Sequence, residues 1–595
     1  MEYMSRQEMR SDLLLVQVYH PQNMNIGDFI YRIEQPSRAM GKIHGVKVIN
    51  INIYSPYLKE VCLQADILIL HMVSDQDMLP IIEERKRLGL PNVFEISDIF
   101  IGFQRRDPMR EYFKDPLNLA TILQYISLAD AVQVTTEELL NTFSFVNSCF
   151  IVFENHIMSV GEFSKDRSGA ITIGWGGSLS HLEDLEWIAP TIIKTCNAYP
   201  NVRFSYMGNK AGFKYFRDIP GAQKIYTSPG SLHDYYDFLE TIDVGIAPLL
   251  NTEYNRCRSD IKFVEYASRG VAPVLSALPP YQKHALDGVN AFLFADENEL
   301  FNVLVRLIKN PDLRLKVAKN AYKYVKEQRL ECLRAPERVK FYHEMCETKP
   351  RKSLPDEILE HISSDSEAYF VKETMAERLS FRGLTLNNRG DVIGEWRLHK
   401  EAIKSMPEYH VPYFRLGESL FRHGKTEAIY YLDHANRLCA ASLRTKLLLG
   451  LAFLNRDKQA AYRYFKDALE VSPMYAPAWD ALGRMQEESG DYGKAIEFFN
   501  LALKANPFYG LASLGLGRAY LAMGKLNEAL KALHIADDIL PNHVESRLQL
   551  TKLFLKIEKF EEAVCQCKRI LGEDPQNNAA QKLLAEISDR YVASV

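Results

Sequence analysis

The chain has 595 residues, 47% of them hydrophobic and 25% charged, with a net charge of −4. That length exceeds what one hydrophobic core can organise and sets an expectation of about three or four domains. The near-neutral balance excludes a molecule built as a whole around nucleic acid or acidic lipid.

The nine cysteines are scattered, and the closest pair, Cys565 and Cys567, lacks zinc-ligand spacing. They read as reduced thiols, and no metal site is expected. No run approaches the roughly 20 apolar residues of a membrane helix. The segment 13–18 is too short for the core of a signal peptide and reads as a strand. The expectation is a cytoplasmic protein without a transmembrane segment.

Short β-type runs alternate with helical patterns over the first 360 residues. LLLVQVY (13–19), VKVINI (46–51), DILILHMV (66–73), NVFEI (92–96), AVQVT (131–135) and CFIVF (149–153) form a first series. A polar break at 161–169 precedes a second: AITIGW (170–175), VRFSYMG (202–208), DVGIAPL (243–249), APVLSA (272–277) and AFLF (291–294). The alternation predicts two Rossmann-like, mostly parallel α/β domains, at 1–160 and 161–346, with a ligand cleft between them. The polar, Pro-containing stretch 347–370 reads as a linker. From 371 to 595 the strand pattern gives way to a repeat, in which Pro473, Pro507, Pro541 and Pro575 recur every 34 residues and Ala461, Ala495, Ala529 and Ala563 keep the same step. That period, with small residues at helix crossings, is the signature of tetratricopeptide repeats, an all-α solenoid. About six repeats and a terminal capping helix fit the chain.

Two segments of the second α/β domain carry candidate chemistry. ITIGWGGSLSHLEDLEWIAP (171–190) reads as strand, Gly-rich loop and helix. Gly174, Gly176 and Gly177 would let backbone approach a phosphate, beside Ser178. Ser180 and Glu183 have the spacing of a capping box. In 258–269, Arg258, Lys262, Glu265 and Arg269 share one helix face opposite Ile261, Phe263, Val264 and Ala267. Two cations and a carboxylate at a helix start behind a buried strand suit a diphosphate and a sugar hydroxyl. Asn251 and Asn255 lie in the polar loop between that strand and helix.

Residues 171–345 resemble the donor domain of the GT-B glycosyltransferases, in particular the large retaining family numbered four. The likeness rests on DVGIAPL (243–249), RSDIKFVEYASRGVAPVLS (258–276) and PPYQKHALDGVNAFLF (279–294). It implies that Glu265 holds the nucleotide ribose, that Lys262 and Arg258 lie near the diphosphate, and that the Gly174–Gly177 loop sits against the phosphates. The family pattern places a sugar-binding glutamate where this chain has Cys257, and its Arg…Lys pair after the first donor-domain strand is replaced by GGSLSHLED. Sugar recognition then falls to Asn251, Asn255 and backbone N–H groups. The first domain resembles the family's acceptor half more loosely, through IGDFIYRIEQPSRAM (26–40), VFEISDIF (93–100) and ADAVQVTTEEL (129–139). Gly27, Arg32 and Asp98 thereby become acceptor-side candidates, and His71, closing its strand, matches a histidine that lines the sugar site. The basic cluster Arg105, Arg106 and Arg110 leaves a peripheral membrane or phosphate contact open.

Together these readings imply a retaining, metal-independent glycosyltransferase with no cofactor beyond a nucleoside diphosphate sugar as donor substrate. Catalysis would rest on Arg258, Lys262 and His71. The solenoid would bind a protein or peptide, and Arg484, Arg518 and Lys552, one repeat apart, would form a cationic ladder along its groove. The acceptor is then a protein recruited by the solenoid. One alternative is a saccharide-building transferase docked through the repeats to an assembly complex. Another, favoured by Cys257, is an inactive donor domain serving as a scaffold.

Overall fold

The computed structural model describes residues 13–21, 27–103, 106–107, 109–164, 170–346, 362–363, 369–540 and 543–594. The chain divides into two compact units, one of residues 1–73, 85–114 and 126–372, the other of 74–84, 115–125 and 373–595.

The first unit contains two sheets. In chain order the strands of the first are β1 (Leu13–Tyr19), β2 (Val46–Asn52), β3 (Ile67–His71), β4 (Asn92–Ile96), β5 (Ala131–Val134) and β6 (Phe150–Val152). Those of the second are β7 (Ile171–Gly176), β8 (Val202–Met207), β9 (Lys224–Thr227), β10 (Val244–Ala247), β11 (Ala272–Ser276) and β12 (Phe292–Phe294). Two further strands, β13 (Ile362–Ser363) and β14 (Tyr369–Val371), extend the first sheet, whose order is β13-β14-β2-β1-β3-β4-β5-β6. The second runs β12-β11-β10-β7-β8-β9, and every pairing except β13 with β14 is parallel. This is the α/β architecture expected from the alternation. The strands read as apolar runs because helices cover both faces of a parallel sheet.

The stretch expected as a linker is structured where it is described. β14 lies beside β2, and Phe370 meets the Phe29 ring at 6.3 Å. Residues 347–361 and 364–368 lie outside the described residues. The helix Glu331–Met345 buries Ala335, Val339 and Tyr342 in the core of the first sheet, against Leu13, Leu15, Val48, Ile67 and Val93. The chain therefore returns to the first sheet after completing the second. The second sheet's core packs Ile173, Trp175 and Phe204 against Leu185, Ile188 and Ile192 of the helix Leu182–Ala198. Each such side chain contributes about 1.5–3 kcal/mol by leaving water.

Among the described residues of the second unit, six helix pairs run from Met375–Asn388 with Val392–Ser405 to Val544–Lys556 with Phe560–Glu573, and Asn578–Ser594 follows them. Small residues sit where the helices cross. A Cβ on Gly483 would lie 2.6 Å from the Phe499 ring, and one on Gly517 would lie 2.4 Å from Leu533. Gly390, Gly424, Gly490 and Gly524 turn the chain at φ between 65° and 83°, and in the last pair Glu558 takes the same place at φ 58°. The segments 74–84 and 115–125 are integral to this unit. The Asp77 carboxylate accepts from the N–H of Leu443 (2.7 Å) and Arg444 (3.2 Å), capping the helix Leu443–Phe453, while Gln124 Nε2 donates to the carbonyls of Met474 (2.9 Å) and Ala505 (3.1 Å).

Candidate active site

Open parallel sheets bind ligands where the strand order reverses, beyond the carboxyl ends of the strands. The reversal lies between β1 and β3 in the first sheet and between β7 and β10 in the second.

At the second reversal, Gly174 and Gly245 face each other across β7 and β10. A Cβ on Gly174 would lie 2.5 Å from Ile242, and one on Gly245 would lie 2.6 Å from the Tyr266 ring. Gly176 likewise leaves room for Tyr235 (2.7 Å) and Gly177 for Trp175 (2.8 Å). The glycines seat side chains in the core, rather than only thinning the backbone for a phosphate. The expected capping box does not form. Leu179–His181 is a short 3₁₀ turn, the Ser178 and Ser180 hydroxyls lie 2.8 Å apart, and neither Ser178 nor His181 caps the helix with its side chain.

Beyond β10 the loop is held from below by Asp184, which is fully buried. Its Oδ1 accepts from Leu250 N (2.9 Å) and Asn255 Nδ2 (2.8 Å). Asn255 is thus a buried brace of the loop, while Asn251 stays exposed. Cys257 is 3% exposed with Sγ 3.7 Å from the Thr142 hydroxyl, and burial raises its thiol to about 11. It offers a ligand no hydrogen-bonding group like a glutamate's. The following helix, Ile261–Ser268, starts at Asp260, whose carboxylate is clamped by Arg329 at 2.5 and 2.8 Å.

Glu265 and Lys262 pair as the stripe predicts, but the helix begins at Ile261, so Arg258 lies in the loop before it, and Arg269, at the helix's end, stacks on Tyr236 at 3.9 Å. Glu265 is 4% exposed, and its carboxylate accepts from the Tyr31 hydroxyl (2.8 Å), the Tyr235 hydroxyl (2.9 Å) and Lys262 Nζ (3.0 Å). Lys262 also donates to the Tyr235 hydroxyl at 2.8 Å. Arg258 lies over the Tyr254 ring at 4.8 Å and donates to its hydroxyl (3.2 Å) and to His181 Nε2 (3.1 Å). Tyr31 belongs to a π-turn, Ile30–Glu34, beside the first sheet. Its bond to Glu265 shows that the carboxyl edges of the two sheets face each other.

At the first reversal, His71 ends β3 with Nε2 3.3 Å from Asp28 Oδ2. The next residue, Met72, has φ 51°, a costly conformation for a non-glycine residue that turns the chain sharply behind the imidazole. Burial works to raise the Asp28 carboxyl, but His71, Ser97 and Arg32 outweigh it and hold it below its ordinary value. Burial raises Asp98 to about 6, against the pull of Arg258 and with Asp28 and Asp107 adding to the rise. Gly27 is exposed and opens the turn before Tyr31. Arg32 points elsewhere. It is 1% exposed, donates from Nε to Glu95 (2.6 Å) and from Nη1 to the Phe153 carbonyl (2.5 Å) and Asn155 (3.0 Å), and braces the sheet from inside. Arg106 is tied to Glu186 at 2.7 Å, and Arg105 lies outside the described residues.

In the solenoid, Arg484 pairs with Asp480 at 2.8 Å, and Arg518 holds Glu487 with two bonds of 2.8 Å. Lys552 is exposed. Two rungs of the expected cationic ladder are therefore neutralised by carboxylates of the repeats themselves. Among the described residues no helix is long and apolar enough to cross a membrane, and no cluster of three or more His, Cys, Asp or Glu side chains could hold a metal ion.

Models of the tetratricopeptide repeat match residues 447–510, 486–539 and 520–587. Residues 447–587 are tetratricopeptide repeats. No match is found among the curated proteins. Among solved structures, the Anabaena protein HepE in complex with UDP-glucose is 12% identical, covering 55% of this chain and all of its own, with a TM-score of 0.44. MamA is 27% identical over 28% of this chain and 91% of its own, with a TM-score of 0.25. PilW, a type IV pilus biogenesis factor, is 18% identical over 36% of this chain and all of its own, with a TM-score of 0.32.

Proposed function

We propose that the α/β half is a glycosyltransferase that moves a sugar from a nucleoside diphosphate sugar to an acceptor. One observation carries the reading: the Glu265–Lys262 pair and Arg258 lie beyond β10 at the reversal of one sheet, while the His71–Asp28 pair ends β3 at the reversal of the other, with Asp98, after β4, within electrostatic reach of Arg258. The carboxylate suits a ribose diol. The two cations suit a diphosphate, whose charge grows as the glycosidic bond breaks, and fixed cations in a partly dry site stabilise that charge strongly. Asp98, with its carboxyl at about 6, is mostly ionised at neutral pH and can accept a proton from an acceptor hydroxyl. His71 is the second candidate on that side. Retention of configuration follows from the family likeness, and the mechanism needs neither a metal ion nor a cofactor. The acceptor is a protein or peptide brought by the repeats, whose concave surface is the kind that binds extended partners.

The inactive scaffold is the second reading, favoured by Cys257 packing against Thr142 where a sugar-binding carboxylate is expected. Incubation with UDP-, GDP- and ADP-sugars, scored by release of the nucleoside diphosphate, separates the two. The enzyme reading expects release from one donor class by the wild type and its loss in Arg258→Ala. Absence of release from every donor would favour the scaffold.

A further inference from the structure

His181 occupies the turn between β7 and the helix Leu182–Ala198, in the loop that stands where a cation pair is expected. The residue is 8% exposed and touches charge on both sides. Its Nδ1 lies 3.0 Å from Asp184 Oδ2, and its Nε2 lies 3.1 Å from Arg258 Nη1. A guanidinium only donates, so Nε2 must accept and the proton must sit on Nδ1, where it is donated to Asp184. The imidazole is therefore neutral and in one tautomer. Burial, then the charge of Arg258, lower its pKa to about 4, against the pull of Asp184. Asp184 is itself immobilised, because its other oxygen holds the loop after β10 through Leu250 N and Asn255. The chain Asp184–His181–Arg258 thus runs from the buried base of the loop to the partly buried cation beside it.

We infer that His181 is a positioning residue, fixed by Asp184, that aims the Arg258 guanidinium at the donor diphosphate. This rests on the donor reading of the site. An arginine has many rotamers; the stack on Tyr254 fixes the plane and the Tyr254 hydroxyl holds Nη2 at 3.2 Å, so a second constraint is needed to place Nη1. The lone pair on His181 Nε2 supplies that second constraint without bringing a competing positive charge. A lysine or arginine at 181 would repel Arg258. A neutral acceptor at the same reach would replace the imidazole.

Two measurements on the full-length chain test this. The first needs no nucleotide: the rate of phenylglyoxal modification of Arg258, read by peptide mass spectrometry. Arg258 should react several-fold faster in His181→Ala than in the wild type, and His181→Gln, whose amide oxygen reaches the place of Nε2, should restore the slow rate. Equal rates in wild type and His181→Ala would overturn the inference. The second is calorimetric titration with UDP, GDP and ADP. For the nucleotide that binds, His181→Ala should weaken affinity about tenfold, equivalent to about 1.4 kcal/mol, and add nothing in an Arg258→Ala background. Independent, additive losses would refute positioning through Arg258. Binding of none of the three by the wild type would sink the donor reading instead, and the modification rates would still decide whether His181 holds Arg258.

Discussion

Removing a single hydroxyl, Tyr31→Phe, separates the free protein from its nucleotide-bound form. Tyr31 is 2% exposed and donates to Glu265 Oε1 at 2.8 Å, while Oε2 serves Tyr235 and Lys262. A carboxylate has about four acceptor positions, and a ribose diol needs two. With three donors already in place, the diol must displace at least one. Tyr31 is the displaceable one, because it reaches Glu265 from the turn beside the opposite sheet, whereas Lys262 is one turn away on the same helix. A hydrogen bond to a charged group contributes about 1.5–3 kcal/mol. Tyr31→Phe should therefore destabilise the free protein by roughly that amount and the nucleotide-bound protein hardly at all. The difference corresponds to a gain of about ten- to a hundredfold in affinity. Titration of wild type and variant with UDP, GDP and ADP, beside thermal melts of each without ligand, reads both sides of the cycle. An unchanged or weakened affinity in Tyr31→Phe would show that the diol does not compete with this phenol.

Asp98→Asn should stabilise the protein at pH 7.5 and not at pH 4. Burial raises the folded carboxyl to about 6 from the ordinary value of 3.8, so its ionisation costs stability as pH rises from about 4 to 6. Thermal melts across that range read the sign, which burial sets, with Arg258 opposing it and Asp28 and Asp107 adding to it. Gly174→Ala should cost about 1–3 kcal/mol by overpacking against Ile242. Combined with Ile242→Ala it should lose less in denaturant melts than the sum of the two single changes, and a Gly174→Ala variant of full stability would contradict the packing role. Glu558→Gly should raise stability by about 1 kcal/mol, since relief of an αL residue outweighs the added freedom of the unfolded chain. A fall in melting temperature would mean that the last repeat turn is held by contacts of the Glu558 side chain.

Much of this fold was legible because buried parallel strands are continuous apolar runs and a 34-residue repeat is a register that chance does not imitate. β9 escaped because KIYT is a half-exposed edge strand, and β13 and β14 because they lie in polar sequence. The pairing of Lys262 with Glu265 was readable from helical spacing, whereas Arg258 falls before the helix and turns to Tyr254 and His181. What surrounds them was not readable. Tyr31 lies 234 residues before the carboxylate it binds, and His181 lies 77 before the guanidinium it faces. A local signal for His181 existed in its i,i+3 spacing to Asp184, which places both on one side of a helix start. The packing role of the glycines was hidden for a physical reason: an absent Cβ makes room for whatever is nearest, and here that is Ile242, Tyr235 and Trp175. Arg32, Arg484 and Arg518 show the same limit, since spacing fixes the face a cation occupies and leaves open which carboxylate reaches it first.

The nucleotide site itself is tested most directly by calorimetric titration of UDP, GDP and ADP into the wild type and into Glu265→Gln. Binding of one of the three by the wild type is expected. An amide keeps one acceptor and loses the charge, so Glu265→Gln should weaken that nucleotide at least tenfold, about 1.4 kcal/mol. Equal affinity in the two proteins, or no binding to the wild type, would contradict the assignment of Glu265 to the donor.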